Sequence, residues 1–571
     1  MNRVALWAGF LGAALASMSF AQSDWDHSPI KHVLLISIDG MHAVDYLNCS
    51  NGISTVNNGQ PYCPNLADLG TTGVNYLYGS TTRPSDSFPG LMGIVSGGTP
   101  RSMGVYYDVA YDRSLAPPAK TTGNGVAAGT CTPGVYPGTT TEYEEGIDLN
   151  QALLNGGAPG ASLTDGGISS IDPARLPRDP SKNCQPVYPW NFVRDSTIFT
   201  VIHRAGGYTA WSDKHPAYSS VSGPGNGRNI DDFYSPEINS NVVALPGVTT
   251  PLGMSCATIP DPSQTGSWTD SFLNIQCYDT LKTNAVINWI DGKSHLGDKT
   301  IKVPQIFGMN FQVVSVGQKL IEKGVPNKGG YLDAQGTPGT PLLSEIQFVD
   351  KAIGNMILEL KKTGHYESTL VVITAKHGQS PVDSSRYIAQ LNVGTSPATL
   401  LSNANLLPYS ESTNNPTGIG PTEDDVSLIW LANSSSTANA VSILEANAGP
   451  TGIALGQIFV GQTLAQLFNP PGLPPTGDPR TPDIAIAPNV GVTYSGSSKK
   501  LAEHGGFSHD DTNVMILVSN PAFEPKTITT PVETIQLAPT ILNALGLDVN
   551  QLDAVRSEGT TALPGLHFNN H

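Results

Sequence analysis

Runs of consecutive apolar residues alternate along the chain with longer segments of mixed polarity. Residues 33–38 and 370–373 are continuous apolar runs, which is the pattern of parallel strands that are covered on both faces. Between them lies "LLSEIQFVDKAIGNMILELKKTG" (342–364), in which apolar residues recur at helical spacing before a terminal glycine. A strand at 514–518 and an amphipathic helix in "ETIQLAPTILNALGLD" follow. This alternation predicts an α/β domain with a doubly wound, mostly parallel central sheet and helices on both faces.

Two segments interrupt the alternating pattern. Residues 110–302 are rich in Gly, Pro, Ser and Asn and show little periodicity, and a second such segment spans 382–482. We interpret both as insertions into a single domain that covers residues 22–571. The first is expected to cap the sheet rather than to extend it.

The N-terminus has the features of a secretory signal peptide. "MNRVALWAGFLGAALASMSFAQSDW" combines an early Arg3, a short apolar stretch and a small-x-small cleavage signal that ends at Ala21. A first transmembrane helix is the alternative, but the apolar run is short for a membrane span. No later stretch is long and apolar enough to cross a membrane. We therefore expect residues 1–21 to be removed and the mature protein to be periplasmic or secreted.

The chain has six cysteines, an even number that suits disulfides in an exported protein. Pairing of neighbours is the simplest connectivity and predicts three bonds: Cys49–Cys63, Cys131–Cys184 and Cys256–Cys277. The formal net charge of −17 disfavours binding to a nucleic-acid duplex. A small phosphorylated ligand in a locally positive pocket remains compatible with this charge.

Polar residues of types that can act in catalysis or bind a metal ion follow the ends of the apolar runs. Asp39 follows the first run, and Lys376-His377 follows the run at 370–373. Ligands of open α/β sheets bind beyond the carboxyl ends of the strands, so these residues lie where a site is expected. Ser87-Phe88-Pro89 has the pattern of a helix start with Ser87 at the N-cap, and His504 lies in a later loop. Histidine and carboxylate ligands with an activatable hydroxyl are what metal-assisted phosphoryl transfer needs.

The order of these motifs resembles that of the alkaline phosphatase superfamily, nearest the type I phosphodiesterase/nucleotide pyrophosphatase family. The family's first strand ends in Asp-Gly, as Asp39-Gly40 does here, and its Pro-Thr-x-Thr-Phe-Pro-Asn segment corresponds to residues 84–90. Its Ser-Asp-His-Gly motif falls on 375–378, and its last ligand motif falls on His504-Gly505. The resemblance covers about 31–110 and 305–550 and leaves out the insertion at 110–302.

The resemblance implies a metal-dependent hydrolase of phosphate esters, acting on phosphodiester or nucleotide pyrophosphate bonds through a covalent Ser87 intermediate. One or two divalent ions, zinc by analogy, would be held by Asp39, Ser87 and His377 on one side and by His504 on the other. Four residues are expected to contact the substrate, a small phosphorylated or other anionic ester: Asp108, Asn310, Lys214 and His215. Asp108 stands at the place of the family's phosphate-binding asparagine. Lys214 and His215 lie in the segment "WSDKHPAYSSVSGPG".

Three departures from the family pattern change this picture. Lys376 replaces an aspartate ligand, and Val314 and Gln318 stand where the family has an Asp-x-x-x-His pair. We expect Lys376 to act in catalysis by supplying part of a missing ion's charge, the alternative being a lysine that extends to solvent. Candidate replacement ligands are Asp213, His215, His509, Asp510 and Asp511. Two further functions stay open: hydrolysis of another anionic ester, such as a phosphomonoester, phosphonate or sulfate, and a non-catalytic binding protein on the same fold.

Overall fold

The computed structural model describes residues 28–143, 167–239, 247–256, 267–389, 395–408, 422–495 and 499–568. The predicted signal peptide lies outside these residues. In chain order the strands are β1 His32–Ile38, β2 Gly73–Tyr76, β3 Gly79–Ser80, β4 Val109–Asp112, β5 Thr139–Glu142, β6 Arg178–Asp179, β7 Gln185–Pro186, β8 Ala210–Ser212, β9 Asp232–Tyr234, β10 Ile306–Phe311, β11 Thr369–Thr374, β12 Ile388–Ala389, β13 Thr422–Glu423, β14 Ser427–Ile429, β15 Leu455–Phe459, β16 Ile484–Pro488, β17 Val492–Thr493, β18 Leu517–Ser519, β19 Lys526–Ile528 and β20 Val532–Glu533.

The α-helices are α1 Ala43–Asn51, α2 Pro64–Gly70, α3 Ser87–Ser96, α4 Pro100–Met103, α5 Pro189–Phe192, α6 Ile198–Arg204, α7 Phe272–Ile290, α8 Val313–Lys319, α9 Thr340–Thr363, α10 Pro397–Asn403, α11 Thr437–Ala446, α12 Gly461–Leu467, α13 His509–Thr512, α14 Leu537–Ala544 and α15 Asp553–Glu558. The long helix predicted at 342–364 is α9, which ends at Gly364 in the left-handed conformation. The C-terminal amphipathic helix is α14.

An eight-stranded sheet forms the centre of the protein, in the order β19-β2-β18-β11-β1-β10-β8-β9. Strands β11, β1, β10, β8 and β9 run parallel to one another, and β18 is antiparallel to both of its neighbours. The predicted mostly parallel α/β sheet is therefore confirmed.

Alternate residues of β1 enter two separate apolar layers, which explains its continuous apolar sequence. Val33 and Leu35 pack in one buried cluster with residues of α3 and α14. Leu34 and Ile36 pack in the other with residues of α7 and α9. Helices thus cover both faces of the sheet, and β1 has no polar face because neither side of it meets water.

The segment at 110–302 adds strands β8 and β9 to one edge of the central sheet. The expectation that this insertion caps the sheet without extending it is therefore wrong. Each of the two strands has only three residues, which is too short to show a period-two pattern, although Ala210 and Trp211 are fully buried.

The strand predicted at 514–518 begins later, at Leu517. The amide of Val514 donates to the carbonyl of Gly79, and that of Met515 donates to Met41 in the loop after β1. These hydrogen bonds lead away from the ladder, so the apolar run is longer than the paired strand. The second insertion forms a separate four-stranded sheet, β13-β14-β16-β15, whose strand β16 lies just beyond the predicted end at 482.

The three predicted disulfides are confirmed: Cys49–Cys63, Cys131–Cys184 and Cys256–Cys277. Such bonds are typical of proteins that fold in oxidising compartments. In the described part of the chain, no helix combines the length and the apolar character that crossing a membrane requires.

Candidate active site

The carboxyl ends of four parallel strands bring the predicted site residues to one edge of the sheet. In the register of these strands, Ser37 lies opposite both Asn310 and Thr374, and Met309 lies opposite Ser212. The loops that follow β1, β8, β10 and β11 therefore begin at the same level. They carry Asp39, Asp213, Gln312 and Lys376-His377, respectively.

Ser87 occupies the first position of α3, and Asp86 is the N-cap. The Asp86 carboxylate accepts hydrogen bonds from the backbone amides of Phe88 and Asp108, each at 3.1 Å. The prediction that Ser87 caps the helix is thus wrong by one residue. Because Asp86 caps α3, the Ser87 hydroxyl is directed at the strand ends instead. It donates to Asp39 Oδ2 at 3.4 Å and accepts from Lys214 Nζ at 3.1 Å.

Helix α3 can approach the strand ends because residue 90 is glycine. A Cβ atom at Gly90 would lie 2.1 Å from the carbonyl oxygen of Lys376. Real atoms do not approach so closely, so any side chain at this position would push α3 away from the loop after β11. Gly90 therefore sets the distance between the Ser87 hydroxyl and the groups opposite it.

Asp39 is the buried anion of the site. Its Oδ1 accepts from Asn310 Nδ2 at 2.8 Å, and its Oδ2 accepts from Gln312 Nε2 at 2.7 Å. Burial raises the pKa of Asp39, but the positive charges of Lys376, His377 and Lys214 outweigh that effect and hold the pKa well below its usual value. The carboxylate is therefore ionised at neutral pH.

His377 and His504 stack face to face beside this carboxylate. Their ring centroids are 3.8 Å apart and the rings are inclined by 11°. His377 Nε2 lies 3.5 Å from Asp39 Oδ2, while His504 Nε2 lies 3.6 Å from Asp86 Oδ1. The four predicted residues Asp39, Ser87, His377 and His504 are thus brought together.

The Lys376 side chain is fully buried and does not extend to solvent, so that alternative is wrong. Its Nζ donates to Asp213 Oδ1 at 2.9 Å and lies 4.0 Å from Asp39 Oδ2. The ring centroid of Tyr218 is 4.1 Å from the same nitrogen, a cation–π distance. Lys376 therefore pairs with two carboxylates and an aromatic ring inside the protein.

A second lysine, Lys214, reaches the site from the loop after β8. Its Nζ contacts Ser87 Oγ and lies 4.0 Å from Asp39 Oδ2, and its side chain is 12% exposed. The backbone amide of Lys214 donates to Asp213 Oδ1, the same oxygen that accepts from Lys376. Two ammonium groups thus stand within 4.0 Å of one carboxylate oxygen.

Two positions at which the family has metal ligands, and two of the candidate replacement ligands, have other surroundings in this structure. Val314 is fully buried in an apolar layer, and Gln318 Nε2 donates to the Gly40 carbonyl and the Tyr331 hydroxyl, both at 2.7 Å. His215 Nδ1 pairs with Glu237 at 2.8 Å. The side chain of His509 is 79% exposed.

The model of the family "Type I phosphodiesterase / nucleotide pyrophosphatase" matches residues 33–140 and 330–509, just over half of the chain. The chain belongs to this family. It is therefore a phosphoric ester hydrolase of the phosphodiesterase/nucleotide pyrophosphatase type, as the sequence motifs predict. No curated protein matches the chain.

Solved structures of two pyrophosphatase/phosphodiesterases share the fold. Murine ectonucleotide pyrophosphatase/phosphodiesterase 5 is 14% identical, with a TM-score of 0.50, and the match covers 91% of this chain and 96% of the murine one. The human protein of the same name gives 14% identity and a TM-score of 0.50, with 90% and 95% covered. An inactive variant of the murine protein in complex with AMP matches equally well.

Members of this family use divalent metal ions, but the donor set of this chain does not fit a two-metal centre. Among the described residues, no group of three or more His, Cys, Asp and Glu side chains is arranged to hold a metal ion. Asp39 Oδ2 already accepts from Gln312 and faces the ammonium groups of Lys214 and Lys376. A dication bound to this oxygen would lie against two positive charges in a buried site, which is electrostatically unfavourable.

The residues predicted to contact the substrate differ in burial and in their distance from Ser87. Lys214 touches the Ser87 hydroxyl, whereas Asn310 is fully buried and contacts Asp39. Asp108 adjoins the nucleophile loop through its backbone bond to Asp86. Gln312, which holds Asp39, was not predicted from the sequence, because no strand was predicted at 306–311. It directly follows β10, so the strand-end argument that identified Asp39 applies to it once that strand is known.

Proposed function

We propose that the protein hydrolyses phosphodiester or nucleotide pyrophosphate bonds through a covalent phospho-intermediate on Ser87 that keeps the remaining ester group of the substrate. The observation that carries the proposal is the position of Ser87 Oγ between Asp39 Oδ2 at 3.4 Å and Lys214 Nζ at 3.1 Å. An ionised carboxylate on one side and an ammonium group on the other are what an attacking hydroxyl needs.

In the first step, Ser87 Oγ forms a bond to phosphorus and the bond from phosphorus to the leaving-group oxygen breaks. The hydroxyl proton passes by way of Asp39, to which the hydroxyl already donates, to the leaving-group oxygen, and Asp39 is an anion again at the end of the step. In the second step, water attacks phosphorus, the Oγ–P bond breaks and Ser87 regains its proton. The products are an alcohol or a phosphate ester from the first step and a phosphomonoester from the second.

Asp108, Asn310, Lys214 and His215 remain our predictions for residues near the substrate.

Export to the periplasm or the medium is part of the proposal, and the three disulfides together with the N-terminal sequence pattern support it. The zinc predicted from the sequence, one or two ions held by Asp39, Ser87, His377 and His504, is not part of this proposal, because the donor set does not fit a two-metal centre. The elemental content of the purified mature protein tests it, because a two-metal enzyme retains about two ions per chain.

The decisive experiment compares wild type with Ser87→Ala on bis-p-nitrophenyl phosphate and on a dinucleotide. The matched control is Ser385→Ala, which alters an exposed serine. We expect Ser87→Ala to lose on the order of 10³-fold or more in kcat/KM. Mass spectrometry of the wild type, acid-quenched during turnover of bis-p-nitrophenyl phosphate, should then show a p-nitrophenyl phosphate adduct on the peptide that contains Ser87.

An unchanged rate in Ser87→Ala would remove this residue from the mechanism. Turnover of a phosphomonoester or a sulfate ester well above that of both diesters would reassign the substrate class. No turnover of any ester by wild type would favour a binding protein on the same fold.

A further inference from the structure

We infer that Lys214 is a catalytic residue whose ammonium group neutralises Ser87 Oγ and the transferred phosphoryl group, so that the reaction proceeds without a bound metal ion. The inference rests on the proposed function and names the source of positive charge in it. Lys214 lies in a part of the chain, 141–329, that the family model does not match. The residue is therefore not supplied by the motifs that define the family.

The position of Lys214 Nζ suits this role. It lies 3.1 Å from Ser87 Oγ, the atom that attacks phosphorus, and 4.0 Å from Asp39 Oδ2. The ammonium group stands beside the nucleophile on a side chain that is mostly buried but retains 12% exposure. A charge aimed at the reacting atoms in a site with little water stabilises a developing negative charge much more than it would in solvent.

Asp213 and Lys376 act as positioning residues for Lys214. Asp213 Oδ1 accepts from the Lys214 backbone amide and from Lys376 Nζ, each at 2.9 Å. Asp213 Oδ2 accepts from Trp211 Nε1 at 3.1 Å, so both carboxylate oxygens are held. The loop after β8 is thereby tied to the loop after β11, and the backbone of Lys214 cannot shift without breaking this network.

A phosphate ester that reaches Ser87 brings a negative charge close to the Asp39 carboxylate, which the Ser87 hydroxyl contacts, so a cation is needed beside the nucleophile. Lys376 is already paired with Asp213 inside the protein, whereas Lys214 reaches the nucleophile itself. Lys214 is therefore the cation that meets the phosphoryl group.

The first experiment uses the full mature protein after exhaustive dialysis against a chelator. We expect less than about 0.1 transition-metal ion per chain, since the inference requires none, and an unchanged kcat/KM on bis-p-nitrophenyl phosphate. Loss of activity on chelation that zinc, manganese or calcium restores would overturn the inference.

The second experiment replaces the lysine. Lys214→Met should lower kcat by about 10²-fold or more, as removal of a preorganised charge at a reacting oxygen does, and Lys214→Arg should recover part of the loss. Lys299→Met, which alters an exposed lysine of the same insertion, is the matched control and should keep the wild-type rate. A Lys214→Met enzyme with the wild-type kcat would exclude the catalytic role.

The third experiment separates binding of the anion from chemistry. In the Ser87→Ala background, calorimetry with inorganic phosphate should show an affinity at least about tenfold weaker when Lys214→Met is added, because one charge-assisted contact is lost. Asp213→Asn should lower kcat more than it raises KM, since it displaces Lys214 without removing it. Equal phosphate affinity with and without Lys214 would contradict the inference.

The two proposals fail in different ways. If Ser87→Ala keeps its activity, the mechanism through a covalent Ser87 intermediate is wrong whatever Lys214 does. If Ser87→Ala is inactive while Lys214→Met is as active as wild type, only the role of Lys214 is wrong.

Discussion

The ammonium of Lys376 donates to Asp213 Oδ1 across 2.9 Å, and both side chains are fully buried. The two residues are far apart in sequence and come from the loops after β11 and β8. Their ion pair joins the family core of the protein to the insertion that carries Lys214. Because neither group can reach water, each relies on the other for neutralisation.

We predict that Lys376→Met destabilises the protein by about 3–5 kcal/mol, the cost of leaving the Asp213 carboxylate buried without the positive charge of Lys376. Urea unfolding of Lys376→Met, Asp213→Asn and the double variant measures the coupling. The double variant should lose less than the sum of the single ones. An exposed pair serves as the control: Lys182 lies 3.2 Å from Asp179 with a side chain that is 69% exposed, and Lys182→Met should cost less than about 1 kcal/mol. Similar losses at both positions would contradict the prediction.

Much of the central sheet could be predicted from the sequence because its inner strands are apolar on both faces. The runs before Asp39 and Lys376 gave both the strands and the residues at their carboxyl ends, since the chain direction fixes which end bears the loop. Ser87, His377 and His504 were identified by their place in the motif order. Those signals are local in sequence, and the structure preserves them.

The role of the insertion could not be predicted in the same way. Strand β8 has three residues, and nothing local shows that it pairs with β10 in register with Met309. The contact of Lys214 with Ser87 depends on this long-range pairing. Asp213 likewise appeared as a candidate metal ligand, because the sequence does not show that Lys376 lies beside it. The composition of the insertion does not show this strand pairing, on which the positions of Asp213 and Lys214 depend.

Gly90→Ala should damage the active site directly. The added methyl group would lie 2.1 Å from the Lys376 carbonyl, so α3 must move away from the strand ends. We expect a loss of about 1–3 kcal/mol in the free energy of unfolding from overpacking. We also expect a fall of roughly 10²-fold in kcat/KM as Ser87 leaves its position.

The control for Gly90 is Gly449→Ala, because a Cβ atom at Gly449 meets no heavy atom within 4 Å. This variant should match wild type in both stability and rate. A fully active Gly90→Ala enzyme would show that the spacing of α3 from the loop after β11 is not critical.

Arg480 holds the two insertions together, and we predict that lysine cannot replace it. Its Nε donates to Asp112 at 2.7 Å, its Nη1 donates to the Phe192 carbonyl at 2.6 Å, and its guanidinium lies 3.9 Å from the Phe192 ring centroid. A lysine has one compact charge and cannot make these contacts at once. Arg480→Lys should therefore cost about 3 kcal/mol in urea unfolding. Arg386→Lys, at an exposed position, should cost nothing measurable, and equal stability of the two variants would refute the role of Arg480.

The buried acid pair Asp425 and Asp511 should make stability fall as pH rises. Burial raises the pKa of Asp511 to about 6, and burial together with the Asp511 charge raises the pKa of Asp425 well above its usual value. The neutral forms are therefore favoured in the folded state, whereas both groups ionise near pH 4 when unfolded. Their contribution to stability is fully present below about pH 4 and is lost as pH rises through the folded pKa of about 6 and above.

Asp425→Asn removes one of the two charges and keeps an oxygen to accept from Thr493 Oγ1. We expect this variant to gain about 2 kcal/mol relative to wild type at pH 8, where the wild-type pair is forced to ionise, and little at pH 5. Urea unfolding at the two pH values measures the difference, with Asp270→Asn at the surface as the control. If the stability of Asp425→Asn relative to wild type is the same at both pH values, the buried pair does not retain a proton in the folded state at pH 5. The expected gain, confined to high pH, would identify the Asp425–Asp511 pair as a source of instability in alkaline conditions.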